Sequence, residues 1–148
     1  MHSFTEVIRF AIRHEEAEAQ FYREMAERSR TPDQKEIMLD HARQEEDHKR
    51  RLLIILENDV LPMGERRFPD PDLKLSEYLM IGEHPTGQIG YEEALLLAAK
   101  REKKAHKLYQ TLATQAQDPV LKAALTFLAE QEAKHANALE QEYDDTQP

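Results

Sequence analysis

Apolar residues return every three or four positions along most of this chain, the spacing of helices that each bury one face. Over residues 4–28 the stripe is Ile8, Ala11, Ile12, Ala19, Tyr22, Met25 and Ala26. The stretch RTPDQ at 30–34 interrupts it, with Thr31 placed as an N-cap and Pro32 as a first helical residue. A second helix is expected over about 33–57, burying Met38, Ala42, Leu52 and Ile55. A third is expected over about 91–115, with Leu95, Ala98, Ala105, Tyr109 and Leu112 inward. Asp118 and Pro119 restart the chain as Thr31 and Pro32 did, and the fourth helix carries Leu121, Leu125, Leu128 and Leu139. The tail from Asp144 onward reads as frayed. Between the second and third helices, residues 58–90 hold Pro62, Pro69, Pro71, Pro85 and all four glycines. So long a connector is unusual in a compact domain. It fits either a linker between two helical hairpins or a crossover that sets the third helix parallel to the second. The run DLKLSEYLM inside it suggests a short helix.

The two halves match without gaps at a fixed offset of 87 residues. Glu6, Ala11, Glu15, Tyr22, Ala26 and Pro32 recur as Glu93, Ala98, Glu102, Tyr109, Ala113 and Pro119. Lys35, Ala42, Gln44, Glu45, His48 and Leu52 recur as Lys122, Ala129, Gln131, Glu132, His135 and Leu139. One helical hairpin used twice, about a pseudo-two-fold axis, explains the register. The expected fold is an all-α four-helix bundle, one domain over 1–148. Its first hairpin covers about 4–57, its crossover about 58–90 and its second hairpin about 91–143.

The repeat also sorts the charges. Glu15, Glu45 and His48 recur, whereas Glu16, Glu18, Glu46 and Asp47 face Lys103, Ala105, Ala133 and Lys134. The recurring residues lie inside the apolar stripes. Glu45 and His48, like Glu132 and His135, are three apart on one helix and so share a face. Burying even one carboxylate costs several kcal/mol after relaxation. Four in one core need compensation. Two divalent cations match their charge, and two neutral imidazoles complete the set. Carboxylate oxygen with imidazole suits iron or manganese better than a soft-ligand metal. A Glu from each of two helices with Glu-x-x-His from the other two is the known ligand pattern of ferritin-like dimetal proteins. The histidines without a repeat partner (His2, His14, His41, His84 and His106) read as surface.

Composition narrows the remaining choices. The formal charge of −9 gives no general electrostatic reason to bind nucleic acid or an anionic membrane. Cysteine is absent, which excludes disulfides and thiolate metal sites and fits a reducing compartment. The N-terminal segment lacks the apolar core of a secretory signal, and no apolar run reaches bilayer length. The expected location is the cytoplasm.

HEEAEAQFYREMA and KREKKAHKLYQTLA, with EEDH at 45–48 and EAKH at 132–135, resemble the helices of the rubrerythrin family, within the ferritin-like superfamily. The resemblance spans nearly the whole chain. It implies a ferritin-like bundle with two metal ions, iron by preference and manganese or another divalent metal as alternatives. In that pattern Glu45 and Glu132 bridge the metals, Glu15 and Glu102 are terminal ligands, and His48 and His135 cap one metal each. Tyr22 and Tyr109 correspond to tyrosines that hydrogen-bond ligand carboxylates. Two departures stand out. The cysteine-rich rubredoxin domain of rubrerythrins proper is missing from a chain with no cysteine. The family's extra Glu, three residues after the third-helix ligand, is Ala105 here, while Glu18 occupies the equivalent place in the first half and is a candidate additional ligand, set against the reading of a solvated Glu. The implied activity is a di-iron oxidoreductase reducing peroxide or dioxygen with electrons from an unidentified donor. The alternatives are a non-enzymatic protein that sequesters iron or manganese and, behind it, a helical interaction module with a vestigial site. The family's habit of exchanging hairpins leads us to expect a homodimer.

Overall fold

Local chemistry sets where each helix begins. A computed structural model describes residues 2–57, 67–68 and 89–148. Helix α1 (Phe4–Glu27) starts where the Ser3 hydroxyl accepts the Glu6 backbone N–H at 3.1 Å. Helix α2 (Pro32–Glu57) starts where the Thr31 hydroxyl accepts from Gln34 N–H at 3.1 Å, with Pro32 in the first turn, where a missing N–H costs nothing. Helix α3 (Tyr91–Gln115) follows Gly90 without a side-chain cap. Helix α4 (Pro119–Thr146) repeats the α2 device, the Asp118 carboxylate accepting from Leu121 N–H at 2.8 Å.

Two details differ from the sequence expectation. Helix α4 continues through Asp144, Asp145 and Thr146, where fraying was expected. The Thr146 hydroxyl donates to the Tyr143 carbonyl at 2.7 Å and ties down the last turn. Two short strands, β1 (His2–Ser3) and β2 (Arg67–Phe68), pair antiparallel, joining the start of the chain to the connector. The short helix expected over DLKLSEYLM lies outside the described residues.

The hairpins α1–α2 and α3–α4 combine into one bundle. Tyr22 reaches Glu102 and Tyr109 reaches Glu15, so α1 and α3 run antiparallel side by side. His48 lies against Glu132 and His135 against Glu45, so α2 and α4 do the same. Helices α2 and α3 therefore point the same way, which selects the crossover reading of 58–90 over a linker between separate hairpins. Among the described residues, no helix is long and apolar enough to cross a membrane.

The core has three layers along the bundle axis. One apolar cluster draws Phe4, Val7 and Ile8 from α1, Leu52 from α2, Leu108 and Leu112 from α3, and Leu121, Leu125 and Leu128 from α4. A second draws Phe21 and Met25, Met38 and Ala42, Leu95 and Ala98, and Leu139. Between them lies a layer of buried acidic and imidazole groups. Ile55, expected inward, is only partly buried against the first cluster.

The apolar layers must supply most of the folding free energy, because the central layer opposes it. Leu125→Ala, at a fully buried site, should destabilise the protein by about 2–5 kcal/mol through lost burial and a residual cavity. Val120→Ala, at a position 78% exposed on the same helix, should stay within about 0.5 kcal/mol of the parent. Denaturant unfolding of the two variants checks the assignment.

Candidate metal centre

Each ligand-type residue sits where its helix passes the middle layer. Ala11 and Ala19 flank Glu15 on α1, and Ala98 and Ala105 flank Glu102 on α3. These small side chains, all buried, leave room for the carboxylates between closely packed helices. Helices α2 and α4 contribute the Glu-x-x-His pairs. Glu15, Glu45, His48, Glu102, Glu132 and His135 are all buried.

The six form two overlapping groups. Glu15, Glu45, His48 and Glu132 offer one ligand atom each, all within 4.8 Å of one another. Glu45, Glu102, Glu132 and His135 do the same. Glu45 and Glu132 belong to both groups, which is the geometry of bridging ligands. The halves match in distance: His48 Nδ1 is 3.8 Å from Glu15 Oε2, and His135 Nδ1 is 3.7 Å from Glu102 Oε2. The two imidazoles stack at 5.4 Å with 9° between planes.

Hydrogen bonding divides the terminal carboxylates the same way. Tyr109 donates its hydroxyl to Glu15 Oε1, and Tyr22 donates to Glu102 Oε1 at 2.6 Å. The other oxygen of each, Glu15 Oε2 and Glu102 Oε2, is buried without a hydrogen bond. So are Glu45 Oε2, His48 Nδ1 and both oxygens of Glu132. His48 Nδ1 lies 2.7 Å from Glu132 Oε1, yet the two are not aligned as a hydrogen-bonded pair. Buried polar atoms seldom go unpartnered. Six converging on one space, all of them good ligands for a hard divalent cation, fit a metal pair. His135 Nε2 meets the Gln44 side-chain oxygen, which orients the ring and leaves Nδ1 facing the carboxylates.

The family model for rubrerythrin matches residues 6–68 and 93–148. The chain belongs to the rubrerythrin family. A crystal structure of a Thermotoga maritima protein, described as a candidate ferritin-like diiron-carboxylate protein, superposes with a TM-score of 0.74 at 22% identity. The match covers 99% of this chain and 97% of that one and supports the shared fold. No curated protein sequence matches.

Crowded carboxylates perturb one another in this rubrerythrin-family chain. Burial, then the Glu45 charge, pushes Glu15 up to about 8. Burial, then Glu102, pushes Glu45 up to about 7. Glu132 is raised by burial and by the other three carboxylates. Burial alone would raise Glu102 too, but interactions with Glu132, His135 and Tyr22 outweigh it and hold it below the usual range. Burial pulls His48 down, while Glu15 and Glu45 override that and lift it to about 10. The metal-free centre therefore shares protons among groups that cannot all ionise together. Tyr22 and Tyr109 are raised well above their ordinary value, first by burial, and so remain hydrogen-bond donors.

Glu18, read from sequence as a candidate ligand or a solvated side chain, lies outside both groups and is buried against Arg101, its Oε1 accepting from Nε at 3.1 Å. His14 and His41, read from sequence as surface, are buried. His41 stacks on Tyr22 at 5.1 Å and meets His135 edge-on at 5.4 Å. His106 is half-buried, its Nδ1 against the Ala129 carbonyl at 2.8 Å. Arg101 had not been singled out. The clue available was position, since it sits between Ala98 and Ala105 in the α3 stripe.

Two outcomes follow from this geometry. His48→Ala and His135→Ala should each lower metal content from about two ions per chain toward about one. Glu46 and Asp47 turn outward to Arg23 and Arg51, so Glu46→Ala and Asp47→Ala should keep it. Elemental analysis of the four variants decides; an Asp47 variant as depleted as His48 would misplace the buried face. The second outcome concerns pH. The metal-free fold holds protons that the unfolded chain releases near the ordinary value of 4.5, so its stability falls as pH rises through about 7 and about 8. The His48 contribution, complete below 6.5, is likewise lost toward about 10. Metal displaces these protons and binds more tightly as pH rises. The melting-temperature gap between Mn(II)-loaded and chelated protein should widen from about pH 5.5 to about pH 8.

Proposed function

We propose that this chain is a dimetal oxidoreductase, with iron the fitting metal, that reduces hydrogen peroxide or dioxygen while bound Fe(II) is oxidised. The observation that carries the reading is the set of buried carboxylate oxygens left without hydrogen bonds around one shared space. Glu15 Oε2, Glu45 and His48 would hold one ion, Glu102 Oε2, Glu45 and His135 the other, and Glu132 would serve both. When bound, an Fe(II) pair would supply the two electrons that, with two protons from solvent, convert one H₂O₂ to two waters.

The protein's own part is positional. Tyr22 and Tyr109 fix one oxygen of each terminal carboxylate and leave its neighbour for metal. Apolar layers above and below keep bulk water from the centre, which strengthens every charge interaction inside it. Protons held by Glu15, Glu45, His48 and Glu132 in the metal-free state are the ones released on loading. Reduction between turnovers needs an external donor.

The second reading, a sequestering protein, rests on the same ligands and differs in turnover. Protein loaded anaerobically with Fe(II) receives substoichiometric H₂O₂, or O₂ in a parallel arm, with a reductant present. Oxidation that repeats with each addition supports the enzyme. A single stoichiometric oxidation that is not renewed supports sequestration and ends the enzymatic proposal.

A further inference from the structure

One buried pair beside the centre breaks its pseudo-two-fold symmetry with opposite charges. Glu18 corresponds by repeat offset to Ala105, and Arg101 to His14, so neither residue type recurs. Glu18 is 2% exposed and Arg101 3%. Arg101 Nε lies 3.1 Å and 3.0 Å from the two Glu18 oxygens, and Nη2 lies 2.9 Å from Oε1. The guanidinium rests over the Phe21 ring at 4.5 Å. Its Nη1 is buried with no hydrogen-bond partner. Stability alone is a poor explanation for such a pair, because a buried ion pair with an unsatisfied donor rarely improves on well-packed apolar residues. The other half of the bundle places alanine at the equivalent of position 18 and is as well buried.

Location explains it better. Glu18 stands one helical turn past Glu15 on the same face of α1, and its carboxylate interacts electrostatically with Glu102. It is a fifth acid at the edge of the metal centre and is matched by a protein cation. We propose that Arg101 is a positioning residue that holds Glu18 off the metal pair, limiting the centre to four carboxylate ligands, and that loss of the arginine's charge turns Glu18 into a fifth. Four carboxylates neutralise two divalent ions. Glu18 would make the centre net negative, and Arg101 absorbs that charge instead. With the arginine gone, the buried Glu18 is left with the neighbouring His14 imidazole alone, and bound metal competes for its carboxylate.

The proposal rests on the dimetal reading, and the test separates the two. Co(II) serves as the probe, because its visible absorption reports coordination. Stoichiometry, affinity by chelator competition, and spectrum are measured for the parent, Glu18→Gln, Arg101→Met, Arg101→Lys and the Glu18→Gln/Arg101→Met double variant. Arg101→Lys should keep the parent spectrum with affinity within about twofold, and Glu18→Gln should keep the parent spectrum and stoichiometry while the unmatched arginine weakens binding. Arg101→Met should bind Co(II) roughly tenfold more tightly with an altered spectrum, and adding Glu18→Gln should restore the parent spectrum. Where Arg101→Met fails to fold, Arg101→Gln, which keeps a buried donor, carries the same comparison. A parent-like Arg101→Met or Arg101→Gln overturns the proposal. So does an altered spectrum that survives in the double variant, which would assign the effect to packing. A lost ion or altered spectrum in Glu18→Gln alone overturns it too, since Glu18 would already be a ligand. A parent protein that binds no Co(II) would instead defeat the dimetal reading itself.

Discussion

Four carboxylates buried within a few ångströms of each other are the constraint around which this molecule is built. Left charged, they would cost more than a bundle of this size can supply. The fold meets the constraint in three ways. Apolar clusters above and below provide the favourable burial. Tyrosine hydroxyls satisfy one oxygen of each terminal carboxylate. The remaining oxygens are left to protons in the metal-free state or to cations in the loaded one. Protons and metal thus compete for the same atoms, which couples metal affinity, stability and pH in a single equilibrium.

Duplication solves the geometric half of the problem. A hairpin with one terminal Glu and one Glu-x-x-His completes no metal site alone. Two hairpins related by a pseudo-two-fold axis bring together two groups of ligand-type residues that share Glu45 and Glu132. The tyrosine from each half reaches the terminal Glu of the other, so neither hairpin satisfies its own ligands. That exchange requires α1 beside α3 and α2 beside α4, and it requires the chain to cross the bundle between α2 and α3. The long connector is a consequence of the site's symmetry.

Departures from symmetry are where the halves are free to differ in chemistry. Glu18 with Arg101, and His41 against Tyr22 and His135, are buried beside the ligands without counterparts in the other half. They lie around Glu102 and His135, so the two groups of ligand-type residues have the same composition but different surroundings. A buried charge beside one group and not the other would act on its cation affinity through a low local dielectric, where electrostatic effects are large.

The sequence alone determined the four helices, the capped starts of the second and fourth, the buried stripes and the ligand-type residues. These rest on local rules: helical period, cap chemistry at Thr31 and Asp118, and a repeat that retained Glu15, Glu45 and His48 while their charged neighbours changed. Such signals are carried by spacing along one helix and need no partner. Tertiary structure decided what depends on a second helix. It chose a crossover over a linker by setting α1 against α3. It made Glu18, read from sequence as a candidate ligand or a solvated side chain, the buried partner of Arg101, because a guanidinium on the neighbouring helix lies closer than sequence spacing can reveal. It buried His14 and His41, whose lack of repeat partners had marked them as surface, since burial depends on the facing helix and not on recurrence. It also let α4 run past its acidic end, where the Thr146 hydroxyl holds the last turn closed.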